Sequence, residues 1–303
     1  MRTIYLGTTA FAATVLDRLA QSDHRPALVV TRPDRRRGRG RRTQAPPVAD
    51  GARELGIEVV QPEQLNAPES IARIAAAEPK ALCVCAYGAI IGEELLAAHD
   101  AYNVHPSLLP RWRGAAPVER AIQAGDQRTG VSIMRPTSEL DAGPIHLVRE
   151  DPILAGDDYG SLARRLAKLG GDALVETLDV GNDPVPQSLE GVTYAEKLEG
   201  GERRLDPALP AVELERTVRA LNPHIGTWVH DGGERLGVRR ARVVEGVAVG
   251  EGLLSAEGKA LLLGTASGAL ELLEVQPSGK RAMPASDYLR GRVRPAGHNE
   301  PRD

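Results

Sequence analysis

Several common chemistries have little to stand on in this 303-residue chain. It has two cysteines, Cys83 and Cys85, which alternate with Leu82 and Val84 in an apolar run. A spacing of two puts both thiols on one face of a strand, which suits buried free thiols in a reducing compartment better than a disulfide or a redox pair. The first apolar run ends in Gly7-Thr8-Thr9 rather than a Gly-x-Gly-x-x-Gly turn. Nicotinamide dinucleotides are therefore poorly supported as ligands. Histidines 24, 99, 146, 224, 230 and 298 have no partners at metal-ligand spacing, and only the nearness of His146 to Asp141 hints at zinc. No metal is expected. The N-terminus shows no basic leader with an apolar core, and no apolar run approaches about 18 residues. A soluble cytoplasmic protein with no membrane segment is expected, and no internal repeat is visible.

Hydrophobic residues make up 42% of the chain, enough for two cores. The formal net charge of −3 conceals a local inversion, because Arg32 to Arg42 carries seven Arg against one Asp. Such a segment presents a positive field whatever the overall charge. Gly38 and Gly40 let it bend, and its guanidiniums can grip phosphates in bidentate fashion. A charge run is often only a solvated surface. This one follows the second apolar strand, which puts it beside the carboxyl ends of the strands and favours contact with RNA.

The hydrophobic pattern predicts strands over 3–8, 27–31, 58–60, 81–86, 102–104, 131–134 and 145–149. Helices are expected over 11–20, 48–55, 70–77, 93–97, 117–124 and 159–179. This alternation implies an α/β fold with a Rossmann-like, mostly parallel sheet, whose ligands gather beyond the strand carboxyl ends. The first domain is expected to cover 1–180. Residues 181–205 have the Gly, Pro and charge content of a linker, in which Val192 to Ala195 can form a short strand. In the second domain, 206–303, a helix over 213–221 precedes short strands over 227–230, 235–244, 261–263 and 270–275. That texture suggests an oligonucleotide-binding-like β-barrel. The tail from Arg292 is expected to be loose.

At the end of one predicted strand lies Asn103-Val104-His105-Pro106-Ser107-Leu108-Leu109-Pro110, followed later by Glu139-Leu140-Asp141-Ala142-Gly143. A carboxamide, an imidazole and a carboxylate together suit acyl transfer onto an amine. Asn103 can donate N–H bonds to a developing oxyanion. His105 can do the same or exchange a proton, with Asp141 fixing its tautomer. Ser107 lacks the Gly-x-Ser-x-Gly elbow of a serine hydrolase. Ala86-Tyr87-Gly88-Ala89-Ile90-Ile91 offers backbone groups that can read the edge of a flat heterocycle, although taken alone it reads better as an ordinary apolar strand-to-helix turn. Arg111-Trp112-Arg113-Gly114 reads either as an RNA-stacking patch or as a structural loop.

Taken in order, these motifs resemble the methionyl-tRNA formyltransferases. Further matching segments are Pro33-Asp34-Arg35 with Gly38-Arg39-Gly40, Thr193-Tyr194-Ala195-Glu196-Lys197-Leu198, Arg219-Ala220-Leu221-Asn222-Pro223 and Gln276-Pro277-Ser278-Gly279-Lys280-Arg281-Ala282-Met283. The resemblance covers nearly the whole chain. It implies 10-formyltetrahydrofolate as formyl donor and the α-amino group of initiator methionyl-tRNA as acceptor, in translation initiation; a monomer is expected. It assigns catalysis to Asn103, His105 and Asp141. Folate contacts fall to Ala86, Tyr87, Gly88, Ala89, Ile90, Ser107, Leu108, Leu109, Pro110 and Leu140. Contacts with tRNA fall to Arg35, Arg36, Arg37, Arg39, Arg41 and Arg42, and to the C-terminal barrel.

The chain departs from the family pattern at Thr9, Arg32, Arg36-Arg37 and His224-Ile225, none of which removes a catalytic group. A formyltransferase for an amino sugar or another small amine would use the same trio. A nonenzymatic RNA-binding module would leave that trio without a purpose.

Overall fold

A computed structural model describes residues 1–37 and 42–291. The expected tail from Arg292 lies outside the described residues. The chain divides into two compact units. The first comprises Met1–Pro117, Arg128–Pro152 and Ala163–Ala195; the second comprises Val118–Gln127, Ile153–Leu162 and the chain from Glu196.

The first unit is built on a seven-stranded sheet. Its order is Ile145–Pro152, Arg128–Met134, Asp100–His105, Ala81–Cys85, Thr3–Gly7, Pro26–Val30 and Val59–Val60. The last five run parallel, and the first two are antiparallel additions, so the sheet is mixed. The parallel strands are buried on both faces, as their continuous apolar runs require. One face packs Ile4, Leu6, Leu82 and Val84 against Ile74 and Leu95, which lie on the helices Pro68–Ala75 and Glu93–Ala98. On the other face the helix Tyr159–Val180 comes close through Gly170, where a Cβ would sit 2.8 Å from Val104 Cγ1. Cys83 and Cys85 are free and fully buried, and burial pushes both thiols up to about 12. Thr9 caps the helix Ala10–Ala20 by accepting from the Ala12 N–H at 3.3 Å. The turn after the first strand is therefore a helix start.

The second unit corrects one expectation. Its sheet runs Thr227–Asp231, Glu234–Val244, Ala269–Pro277, Ala260–Gly264, Leu254–Glu257, with Met283–Pro284 added against Ala269–Pro277. Among the described residues the edge strands Thr227–Asp231 and Leu254–Glu257 do not pair. The sheet is thus a curled, open half-barrel and not a closed oligonucleotide-binding barrel. Bulges between Val238 and Ala241 curl the long strand. The helix Ala211–Leu221 buries Ala211, Leu214 and Val218 among Val229, Leu236, Val238 and Leu270, covering apolar surface that closure would otherwise have to bury. His224, one of the departures from the family pattern, stacks on Tyr159 with ring centroids 3.6 Å apart and meets Glu119 Oε1 at 3.0 Å. Burial, with a further push from the Glu119 charge, lifts the Tyr159 phenol to about 12.

Among the described residues no helix is long and apolar enough to cross a membrane.

Candidate active site

Asn103 and His105 are two residues apart on the strand Asp100–His105, so both side chains leave the same face of the sheet. This strand is where the sheet changes sense. Asn103 has Val84 beside it on the parallel side and Met134 on the antiparallel side. Its Nδ2 meets Met134 Sδ at 3.6 Å, and sulfur is a weak acceptor. Among the described residues the carboxamide makes no stronger bond, which leaves its donors for a ligand.

His105 is only 4% exposed. Its Nε2 lies 2.8 Å from the Trp112 carbonyl oxygen, which can only accept, so Nε2 carries the proton. Its Nδ1 faces Asp141 Oδ2 at 3.5 Å, within ion-pair reach but long for a hydrogen bond. The sequence suggests that Asp141 fixes the tautomer. The Trp112 carbonyl does so instead, being nearer and unable to donate. Trp112 reaches that position with φ at +64°, its N–H donated to Thr193 Oγ1 at 2.9 Å.

Asp141 also adopts the left-handed region, with φ at +46°. Aspartate tolerates this better than most residues. Its Oδ2 accepts from the Gly114 N–H at 2.9 Å. Two positions on, a Cβ at Gly143 would come within 1.9 Å of the Arg135 carbonyl, so only glycine fits that part of the turn. The segment Arg113–Gly114 pairs in parallel with Tyr194–Ala195, and Ala115 N–H donates to the Ala195 carbonyl at 2.8 Å. Residues expected to be linker therefore supply a strand to the site.

Gln187 belongs to the same stretch, and the sequence gives no signal for it. Its Oε1 accepts from Arg113 Nε at 3.1 Å and Nη2 at 2.8 Å. Its Nε2 donates to the carbonyls of Asp141 at 2.7 Å and Gly143 at 2.8 Å. Arg113 is buried, which favours the structural reading of the Arg111 to Gly114 segment at this residue. Arg111 instead lies over the Trp112 ring at 4.3 Å.

The segment after the strand Ala81–Cys85 runs along the same carboxyl edge. Ala86 has φ at +43°, Thr8 Oγ1 donates to the Tyr87 carbonyl at 2.7 Å, and Asn66 Nδ2 donates to the Ile90 carbonyl at 3.1 Å. Ala86, Gly88, Ala89 and Ile90 are exposed, with Ile90 at 85%. Tyr87 is buried, and burial raises its phenol against the opposing pull of Arg32. Of the second group of expected folate contacts, Leu108 and Pro110 are half-buried, Leu109 is buried and Leu140 is 62% exposed. Ser107 is fully buried, and its hydroxyl donates to the Arg111 carbonyl at 2.6 Å. That geometry offers no nucleophile.

The Arg-rich segment contains a short antiparallel pair, Arg35–Arg37 with Arg42–Gln44, where an irregular loop is expected. Arg35 and Arg36 are exposed; Arg37 and Arg42 face each other in the pairing. Arg39 and Arg41 lie outside the described residues. Gln61 Nε2 anchors the start of the segment by donating to the Arg32 carbonyl at 3.0 Å and to Asp34 Oδ1 at 2.7 Å.

His146 is not near a metal-binding arrangement. Its Nδ1 donates to the Asn182 carbonyl at 3.0 Å, and burial lowers its pKa against the pull of that carbonyl. Among the described residues no three His, Cys, Asp or Glu side chains come together as metal ligands. A cavity of about 580 Å³ lined by Lys80, His99, Asp100 and Arg135 lies at the opposite end of the strand from His105.

Comparison with known proteins bears on this arrangement. Residues 1–178 match the family described as formyl transferase, and residues 197–293 match the formyl transferase C-terminal domain. The chain is 42% identical over 298 residues to the methionyl-tRNA formyltransferase of Thermobifida fusca, covering 96% of each chain. It is 43% identical over 299 residues to that of Halorhodospira halophila, again covering 96% of each. Among solved structures, a sugar 3N-formyl transferase, WlaRD, in the presence of dTDP and 5-N-formyl-THF superposes with a TM-score of 0.66 at 13% identity, covering 93% of this chain and 99% of that one. HypX from Aquifex aeolicus in complex with tetrahydrofolic acid gives 0.65 at 18% identity. That match covers 95% of this chain but only 47% of HypX. At such identities the two structures show a shared fold.

Proposed function

The chain belongs to the methionyl-tRNA formyltransferases, and we infer from that membership that it moves a formyl group from 10-formyltetrahydrofolate to the α-amino group of initiator methionyl-tRNA. The observation that carries the chemistry is the pair Asn103 and His105 on one face at a strand carboxyl end, with Asp141 beside the imidazole.

The donor's fit rests on the carboxyl edge. The segment from Ala86 to Ile90 exposes its chain there, and Ile90 and Leu140 are apolar side chains open to a ligand face. These residues, with the stretch from Ser107 to Pro110, would hold the folate. When bound, 10-formyltetrahydrofolate supplies the formyl group; the protein aligns, polarises and moves protons.

Asn103 donates an N–H bond to the oxygen that gains charge as the amine adds to the formyl carbon. His105 accepts the amine's proton at Nδ1, and the imidazolium so formed lies between the Trp112 carbonyl and the Asp141 carboxylate. His105 then returns the proton to the departing nitrogen. A free α-amino group has a pKa of roughly 7.7–8.0, lowered further by an aminoacyl ester, so little base catalysis is needed at the start. Alignment and oxyanion stabilisation carry most of the rate.

The arginines from Arg35 to Arg42 would grip the acceptor stem, and the half-barrel the flank of the tRNA. We assign residues 1–180 to the body of the catalytic domain, 181–205 to a connecting segment whose first part, through Ala195, completes the candidate site, and 206–303 to the tRNA-binding domain. A cytoplasmic location suits the two buried free thiols.

The deciding experiment presents one donor, 10-formyltetrahydrofolate, with initiator methionyl-tRNA and with nucleotide-linked amino sugars. Transfer to the tRNA alone supports the assignment. Preferred transfer to an amino sugar would overturn it.

A further inference from the structure

Among the described groups of the site, Gln187 alone spends a whole carboxamide on holding other residues in place. One oxygen takes two N–H bonds from a buried arginine, and one nitrogen gives two bonds to carbonyls within the turn that carries Asp141. That uses the full capacity of the side chain. The turn needs such support. Asp141 sits in the left-handed region, a conformation that persists only where its surroundings over-determine it. Glu139 and Leu140 are exposed, so the turn has little packing of its own. Arg113, by contrast, is buried, and its backbone is locked by the pairing with Tyr194–Ala195. The rigid end of the strut is thus Arg113, and the end that must be steadied is Asp141.

We propose that Gln187 is a positioning residue for formyl transfer, tying the Asp141 turn to Arg113 so that the carboxylate stays opposite Nδ1 of His105. This rests on the catalytic role given to Asp141 above. Without the strut the turn loses two of the bonds that hold its shape, and Asp141 spends part of its time away from the imidazole. Binding of tRNA is little affected, because Gln187 acts through the Asp141 turn.

Two substitutions separate the halves of the strut. Gln187→Ala removes both. Gln187→Glu keeps an acceptor for Arg113 but cannot donate to the two carbonyls, and its charge faces their oxygens. Single-turnover formylation of methionyl-tRNA by the full-length chain is measured for each variant, alone and combined with Asp141→Asn, alongside thermal unfolding. Both single variants are expected to transfer about 10- to 100-fold more slowly, with tRNA affinity within about twofold of the parent. Gln187→Glu should unfold near the parent temperature. In the Asp141→Asn background, adding Gln187→Ala should change the rate by less than about threefold, because the two residues act on one step.

Normal transfer by Gln187→Glu would overturn the proposal, since a plain anchor for Arg113 would then suffice. So would losses that multiply in the double variant. If Asp141→Asn itself transfers normally, the catalytic role of Asp141 falls and the positioning role of Gln187 falls with it.

Discussion

The Nε2 of His105 donates to the carbonyl of Trp112 at 2.8 Å, and this one bond determines which nitrogen is left for chemistry. In the proposed mechanism Nδ1 takes the proton, and it faces the carboxylate of Asp141. A backbone carbonyl cannot titrate or rotate away as a side chain can. The tautomer is accordingly set by the fold, and Asp141 is free to act through its charge.

Asp141→Asn tests that division. The neutral amide can still accept from the Gly114 N–H, so the turn should keep its shape, while the imidazolium loses its counter-charge. Transfer should slow by about 10²-fold or more with the parent unfolding temperature. A rate within a few-fold of the parent in single-turnover assays would show that the charge is not used.

Asn103→Ala removes the proposed oxyanion donor. The expected cost is about 3 kcal/mol in the transition state, or roughly 100-fold in rate, with methionyl-tRNA affinity nearly unchanged. Rapid-quench transfer and equilibrium tRNA binding, measured on the same preparation, check both halves of the statement.

Replacing Arg35, Arg36, Arg39, Arg41 and Arg42 with Ala should weaken tRNA use and flatten its salt dependence. Each lost phosphate contact reduces the log–log slope by about 0.7–0.9. Folate binding should survive. If the slope is unchanged and only the donor's affinity moves, the segment serves the other substrate.

Chain ends placed at two positions should behave differently. A chain stopped after residue 178 lacks Gln187, the Thr193 hydroxyl that holds Trp112 and the strand Tyr194–Ala195 that pairs with Arg113–Gly114. One stopped after residue 198 keeps all three. Of the two, only the longer is expected to bind folate with affinity near that of the full chain, as titration of each purified fragment would show.

The Arg120–Glu202 pair gives a pH signature in stability. Its hydrogen bonds from Arg120 hold the Glu202 carboxyl below its ordinary value, against partial desolvation. A depressed folded-state pKa contributes stability above the unfolded value, and that contribution is lost as pH falls through the folded one. Glu202→Gln should therefore destabilise by about 0.5–1 kcal/mol at pH 7, the pair being partly exposed. Once pH has fallen through the lowered Glu202 value, on the acid side of the ordinary carboxylate range, the two proteins should converge. Denaturant titrations at both pH values measure the gap.

The parallel core was legible because Thr3–Gly7 and Ala81–Cys85 are nearly unbroken apolar runs, and Asn103 and His105 because an amide and an imidazole stand two apart at the end of a predicted strand. Leu254–Glu257 was not, since half of it is polar and its partner is read only in space. Neither was the pairing inside the Arg-rich segment, where no alternation marks a strand. Gln187 escaped for a different reason. Its partners stand 44 to 74 residues away along the chain, and an isolated glutamine in a Pro-rich stretch carries no periodic mark of its purpose. The open half-barrel was misread because strands and turns announce themselves locally, whereas closure depends on whether the first and last strands meet.

The two buried thiols give the chain a practical property. Burial pushes both thiols up to about 12, so neither cysteine is appreciably thiolate at neutral pH, and neither is accessible to a reagent. A cysteine introduced at Leu189, which is 91% exposed and two residues from Gln187, would take up a maleimide dye essentially alone. The native protein thus serves as its own unreactive background for fluorescence or spin-label work, and the segment around Gln187 can carry the reporter without first stripping the sulfur from the core.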